Sequence, residues 1–464
     1  SKAHLPKDVI EEYILAIPSI DTIASMSFRL TTMKCMYEGF DVELWNKAIS
    51  EITKVLEEPL NSILRDKPPI RWLINKNVLL FFIGGEWFIE EEIRRIAKER
   101  NKDIGSALDS LRDLLKNVKK SAREYAEVSN FTVVENPGKY LAIVRADGDN
   151  MGMLTSLGGM KYLKKIGDLF LPEFNKCKKE TESYKELINY TYFATPSYYS
   201  MISRTISAIA KKVADISNKY YSMIVYSGGD DLLSLCPPEN CLQFSNEVRK
   251  TFSRNYLEID DHDTKIIIPG LTKAATQSFA IHLMHIFTPI SKHLEESIVE
   301  LDKFAKGDVT KDSFIISYNP REGGKMIAKL PWSISNISEY ILNLLSITLE
   351  FPKVIKFNRD YTKVYNSPIK ISISTYRDLL QTYDLNEKRL SNEVIKSIFE
   401  YEVNRHKEFG KFEELSTLIQ IDNIYCISVK LKGETSNIII EMAKAAIALR
   451  NGLDSNPITF GENI

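Results

Sequence analysis

The sequence predicts an α+β fold: a sheet layered with helices, set between two stretches that read as mainly helical. Three observations carry this. Between about residues 136 and 330, short apolar runs alternate with longer segments of helical periodicity. Two of the short runs flank Gly228-Gly229-Asp230-Asp231, a hairpin signal. Outside that region, apolar residues recur at three- and four-residue spacing.

Taken in order, residues 1–135 read as helical. Trp45, Ile49, Ile52 and Leu56 share one face, as do Leu108, Leu111, Leu114 and Leu115. One piece differs: Val78–Ile83 reads as a strand, followed by a turn at Gly84-Gly85-Glu86. Glu135-Asn136-Pro137-Gly138 is a turn signal, and Tyr140–Ala146 is a buried strand. Ser200–Tyr221 is an amphipathic helix with Ile202, Ile206, Ile209 and Val213 on one side. Ser222–Ser227 and Leu232–Cys236 are the hairpin strands, and Asn240–Phe252 is a helix. Ser278–Phe287 is a strand, Pro289–Lys306 a helix with proline in its first turn, and Ser313–Tyr318 a strand. The order is β-α-(α)-β-β-α-β-α-β, a ferredoxin-like palm. Beyond 331, Tyr340–Leu345, Glu393–Tyr401 and Ile438–Leu449 read as helices. At about 150 residues per domain, 464 residues suit a division into 1–135, 136–330 and 331–464.

Composition removes several function classes. Hydrophobic residues make up 44% and charged residues 27%, which is ordinary globular usage and excludes a largely disordered chain. Lys and Arg total 61 against 62 Asp and Glu. A chain that coats nucleic acid alone carries a basic excess, so any such contact here would rest on local patches or partner subunits. No apolar run approaches the ~18 residues of a membrane span. Cys35, Cys177, Cys236, Cys241 and Cys426 are odd in number and form no CxxC pair. That argues against a disulfide framework and against a four-cysteine zinc site. Cys236 and Cys241 are separated across two prolines, which is not zinc-site spacing. The start, Ser1-Lys2-Ala3-His4, has no apolar export segment, which points to the cytoplasm. It also has no initiator Met, which points to a piece of a longer chain.

Two acidic motifs carry the chemistry. Arg145-Ala146-Asp147-Gly148-Asp149-Asn150 closes the strand Tyr140–Ala146, and Gly228-Gly229-Asp230-Asp231 caps the hairpin. A palm makes these strands neighbours, so Asp147, Asp230 and Asp231 converge, with Asp149 a further candidate ligand. Carboxylates so close repel, and each loses hydration. A hard cation, Mg²⁺ or Mn²⁺, resolves both problems, because it takes one or two carboxylates together with waters and phosphates. Two such ions activate a 3′-hydroxyl and stabilise leaving pyrophosphate. No histidine base is needed, and His262, His282, His285 and His293 lie away from both motifs in sequence. Gly228 and Gly229 permit close backbone approach to a phosphate or base. Gly148 allows a sharp exit, and amides after Asn150, including that of Gly152, would cradle phosphates.

Each feature has a plainer alternative. A lone Gly-Gly-Asp-Asp is most often a solvated turn; its pairing with the first motif across a palm is what makes it specific. An EF-hand loop counted from Asp147 would put Gly152 at its glycine position, but Gly158 stands where glutamate is required. Gly84-Gly85-Glu86 has no second acid and reads as a structural turn. Lys303 and Lys306 end a helix, where cations suit the dipole, though Lys306 is also placed to meet a triphosphate. Asp260-Asp261-His262-Asp263 reads as a polar loop, because residues 5–261 contain no histidine to complete a phosphohydrolase site.

These motifs together resemble the large palm-bearing subunit of type III CRISPR–Cas effector complexes, of the Cmr type. The matching segments are Ile17–Ala24, Pro137–Gly152 with its Asp-Gly-Asp-Asn-Met-Gly core, and Tyr226–Asp231. The resemblance covers about residues 5–330. It implies a palm with a fold like diguanylate and adenylyl cyclases, converting ATP into cyclic oligoadenylates when the complex captures target RNA. It implies other complex subunits, guide RNA and target RNA as partners, and no membrane. It implies that Asp147 and Asp230 are metal ligands with Asp231 a ligand or a neighbour, that Gly228 and Gly229 line the nucleotide pocket, and that Lys306 matches the cyclase Ala-Lys lysine. No N-terminal nuclease domain, first palm or four-cysteine site is visible, so no zinc is expected and the fragment alone can be inactive. A non-catalytic nucleotide-binding scaffold of the same complex is the alternative. A free-standing diguanylate cyclase fits less well, because Asp231 stands where that family has glutamate followed by phenylalanine.

Overall fold

The computed structural model describes residues 19–29, 88–126, 133–155, 195–261, 264–271, 275–307, 311–321, 324–334, 336–339, 428–431, 434–453 and 458–459, with isolated positions between. Contacts divide the chain into two units: Ser1–Leu141 with Leu453–Ile464, and Ala142–Gly452.

The first unit is mainly helical where it is described. Helix Ile20–Ala24 is capped by the Ser19 hydroxyl, which accepts from the Thr22 amide at 3.2 Å. Helix Glu90–Glu99 opens on three glutamates, which suit the positive end of its dipole, and buries Ile93 and Ala97. Helix Gly105–Ala126 buries Leu108, Leu111, Leu114, Val118 and Ala122, the stripe expected from their spacing. Val133–Val134 pairs antiparallel with Ile458–Thr459. The readings at Trp45, Ile49, Ile52, Leu56, Val78–Ile83, Gly84-Gly85-Glu86 and Glu393–Tyr401 fall outside the described residues.

The second unit holds the palm. Its elements are β1 (Tyr140–Gly148), α1 (Pro196–Lys219), β2 (Met223–Gly228), β3 (Asp231–Cys236), α2 (Cys241–Phe252), β4 (Tyr256–Asp261), β5 (Thr264–Pro269), β6 (Gln277–His285), α3 (Ile290–Val299), β7 (Ser313–Asn319), β8 (Met326–Pro331), β9 (Ser428–Leu431), β10 (Glu434–Asn437) and α4 (Ile438–Gly452). Six strands form one mixed sheet in the order β2-β3-β1-β6-β7-β8. β3 runs antiparallel to both β1 and β2, β7 runs parallel to β6, and β8 returns antiparallel. This is the mixed α+β palm that the motif order predicts.

The central strands are apolar runs because both sheet faces are covered. Leu141–Val144 and all of β6 are buried. α1 starts four residues before the predicted Ser200: the Thr195 hydroxyl caps it, accepting from the Tyr198 amide at 3.2 Å, and Pro196 sits in the first turn. The β2–β3 turn is tight, since Gly228 pairs with Asp231 and Gly229 takes φ +63°, where glycine is favoured. The predicted helix Pro289–Lys306 is α3 followed by one π-helical turn, Glu300–Ala305.

One expectation changes. Asp260 and Asp261, read as a polar loop, end β4 and pair with Lys265 and Thr264 of β5 in a separate hairpin. α4 packs against the palm sheet, where the Lys329 amide of β8 donates to Glu441 at 2.9 Å. Among the described residues no helix is long and apolar enough to cross a membrane.

Candidate active site

The site forms where β1 ends beside the β2–β3 turn. Ala146 pairs with Leu232, so one residue further Asp147 faces Asp231, while Asp230 occupies the turn. Carboxylate oxygens of Asp147, Asp230 and Asp231 lie within 4.8 Å of one another. Partial burial pushes the Asp230 carboxyl above the usual aspartate range, the charge of Asp147 adds to this, and Lys306 opposes it. Asp231 is raised for the same reason, burial first and then the charges of Asp147 and Asp230. Asp230 and Asp231 are therefore under electrostatic pressure that a cation would relieve.

Lys306 supplies part of that relief. Its ammonium pairs with Asp147 and donates to the Gly148 carbonyl at 3.1 Å. The π turn brings it there: the Lys306 amide donates to the Leu301 carbonyl, five residues back, at 2.9 Å. Lys303, one turn earlier, is exposed. Arg145 lies near Asp231 and Asp302, with burial pulling its pKa down, and its Nε donates to Ser297 at 3.3 Å.

The glycines differ in what they permit. A Cβ on Gly148 would stand 2.6 Å from the Asp230 Cβ and 2.7 Å from Met151 Cγ, so only glycine lets β1 and the turn approach this closely. A Cβ on Gly228 would meet the Tyr226 hydroxyl at 2.9 Å. Gly229 faces open space, as does Gly152, which lies in the short helix Met151–Thr155. Asn150 takes φ +55°, and its side-chain oxygen accepts from Lys311 at 3.0 Å.

Asp149 does not join the cluster, contrary to its sequence-based place among the ligands. It is 2% exposed, and its oxygens accept from the Ser278 hydroxyl at 2.9 Å, the Thr276 hydroxyl at 2.9 Å and the Asp312 amide at 3.0 Å. It fastens the exit of β1 to the starts of β6 and β7. Arg249 clamps Asp312 through two hydrogen bonds, of 3.0 and 2.7 Å. Gln277 also escaped sequence reasoning: its side-chain amide donates to the Asp230 carbonyl at 2.8 Å and steadies the turn. Nothing local marks these partners, which lie 47 to 163 residues from the groups they hold. Cys236 and Cys241 are buried, and burial pushes both thiols far up, so neither offers a thiolate.

The donor set suits a hard divalent cation: three carboxylates converge, and no thiolate or imidazole is among them. The arrangement can neutralise charge and orient a phosphate chain between Lys306 and the turn glycines.

Residues 140–315 match the family described as Cas10/Cmr2, second palm domain. A curated relative, the CRISPR system Cmr subunit Cmr2 of Pyrococcus furiosus, is 24% identical over 204 residues, which is 44% of this chain and 21% of that protein. Among solved structures, the fold is similar to a chain of the cryo-EM structure of the type III-B Cmr-beta bound to cognate target RNA, with TM-score 0.54 and 16% identity over 96% of this chain. The apo state of Cmr-beta gives TM-score 0.49. The chain spans 49% of the length of the RNA-bound Cmr-beta chain. The family match and the curated relative bear out the Cmr-type resemblance, and the RNA-bound Cmr-beta chain bears out the palm fold.

Proposed function

We propose that this chain works inside a Cmr-type, RNA-guided type III effector complex, where its palm binds ATP with Mg²⁺ or Mn²⁺ and makes cyclic oligoadenylate once target RNA is bound. The observation that carries this reading is the convergence of Asp147, Asp230 and Asp231, with two carboxyls raised by burial and mutual charge. Asp147 and the two turn aspartates would hold the ions. When bound, the ions lower the pKa of an attacking 3′-hydroxyl and neutralise the leaving pyrophosphate. Lys306 exchanges Asp147 for a phosphate oxygen of the nucleotide. Gly229 and Gly152 face open space, where the phosphates would lie against the backbone, and Asp149 and Gln277 hold the two motifs at a fixed separation. Catalysis on this reading is positioning and charge compensation.

One observation favours the scaffold alternative. Lys306 already neutralises Asp147, so the site satisfies itself in part without a cation. Product formation separates the two. In the assembled complex with target RNA and ATP, Asp147→Asn/Asp230→Asn should capture RNA normally and make no cyclic product. Cyclic product at the wild-type rate from that variant would refute catalysis at this site.

A further inference from the structure

A second cluster of ligand-type side chains lies on the sheet's α3 side, away from the three aspartates. His282 sits in the middle of β6 and is 0% exposed. His293 and Glu296 share one face of α3, three residues apart. Ligand atoms of these three residues lie within 4.8 Å of one another. Ser278, which binds Asp149, is four residues back along β6, so the cluster lies about 13 Å along the strand from that anchor.

The positions of the hydrogens decide what the cluster can hold. His282 Nδ1 faces both oxygens of buried Glu300, at 3.1 and 3.0 Å. It also faces the Ser317 oxygen at 3.0 Å, and that hydroxyl spends its own hydrogen on Glu300 at 2.7 Å. Every one of these neighbours of Nδ1 accepts, so Nδ1 carries the hydrogen. His282 Nε2 is then a lone pair, which agrees with the Asn319 amide nitrogen donating to it at 2.8 Å. The Thr288 hydroxyl donates to the His285 carbonyl at 2.5 Å, so its oxygen is left to accept from His293 Nε2 at 2.9 Å. A neutral His293 therefore has its lone pair on Nδ1. That lone pair points at His282 Nε2, 2.9 Å away.

Two imidazole lone pairs this close repel unless a cation lies between or beside them. A proton on His282 Nε2, with buried Glu300 as its counter-charge, is one such cation. A metal ion is the other solution. Metal-binding histidines characteristically give their outer N–H to a carboxylate or another fixed acceptor. Here Glu300 holds one outer N–H and Thr288 the other. Glu296 reaches the same point. Its Oε2 is engaged by Lys325 at 2.9 Å and by Asn319 at 3.2 Å, while the Lys292 ammonium stands 3.8 Å from Oε1.

We propose that His282 Nε2, His293 Nδ1 and Glu296 form a binding site for a borderline divalent metal of the Zn²⁺ class, tying β6 to α3. Two imidazoles and one carboxylate select such ions over Mg²⁺, which prefers an all-oxygen shell. The cysteine pattern gave no reason to expect zinc; the histidines supply one. By pinning α3, the ion would steady the helix whose π turn ends at Lys306.

The test uses the untagged full chain, stripped with chelator and then titrated with Zn²⁺ in excess Mg²⁺, with bound metal counted by elemental analysis and Co²⁺ read by visible absorption. One Zn²⁺ per chain is expected in the wild type and in Asp147→Asn/Asp230→Asn. At least a tenfold loss of affinity is expected in His293→Gln and in Glu296→Gln. The second variant lies at the partly exposed edge, so it reports even if the first fails to fold. Absence of Zn²⁺ binding, retention of full affinity in Glu296→Gln, or loss of the metal in the aspartate variant alone would each overturn the proposal.

Discussion

Replacing Asp149 by alanine separates a structural role from a ligand role. The carboxylate is almost fully enclosed and takes three hydrogen bonds, from two hydroxyls and the Asp312 amide. The hydroxyls can turn toward other acceptors, but the Asp312 amide cannot. Leaving that amide unsatisfied costs about 1–3 kcal/mol, and each hydrogen bond to a charged group contributes about 1.5–3 kcal/mol. The freed Asp312–Arg249 pair loses its anchor as well. Allowing for hydroxyl reorientation, Asp149→Ala should destabilise the palm by about 3–5 kcal/mol, at the upper end of single-site effects. Asp231→Ala removes an exposed carboxylate from a repulsive cluster and should change stability by no more than about 0.5 kcal/mol. Urea unfolding followed by circular dichroism, with both variants side by side, measures the contrast. An Asp149→Ala chain that keeps its midpoint but loses Mn²⁺ would return Asp149 to the ligands and refute this account of the β1 exit.

The same geometry fixes other outcomes. Asp230 and Asp231 have folded pKa values raised above the unfolded ones, so the folded state holds protons more tightly between the two. The contribution of these two groups to metal-free stability should therefore rise as pH falls from neutral through the raised values, and flatten below the ordinary aspartate range. Asp230→Asn should lose its share of that contribution, so the difference between its urea midpoints and those of the wild type should change from pH 7 to pH 4; a constant difference would contradict the assigned repulsion. Lys306→Ala should change stability by less than about 1 kcal/mol, because the pair is partly solvated. It should strengthen Mn²⁺ binding by freeing Asp147 while weakening ATP binding, with calorimetry reading both; weaker Mn²⁺ binding would count against the competition. Gly148→Ala forces its new methyl against Asp230 and Met151, at about 1–3 kcal/mol of overpacking. It should spread the carboxylates and abolish Mn²⁺ binding, and unaltered binding would mean the close approach is dispensable.

Local features were legible from the residues alone. Fully buried strands announce themselves as apolar runs, and helices by their repeat, so β1, the β2–β3 hairpin, β6 and β7 could be read within a residue or two. The two acidic motifs were legible because each is contiguous and each ends a strand. The β4–β5 hairpin was hidden by its polar end at Asp260-Asp261, where charge outweighed the alternation of Leu257 and Ile259. Folding in three dimensions, by contrast, settles how neighbouring carboxylates divide their work. Asp147 and Asp149 are two residues apart, yet one faces the cluster and the other is sealed beneath Ser278, because successive side chains along a strand end are committed by whatever the sheet brings against them. Folding also sets Lys306 on Asp147, through one π turn that adds a residue to the helix and redirects the chain beyond it. It joins His282 to His293 and Glu300. Hydrogen bonds and Coulomb forces act over a few ångströms in space, and partners 11 to 163 residues apart leave no periodicity in the sequence.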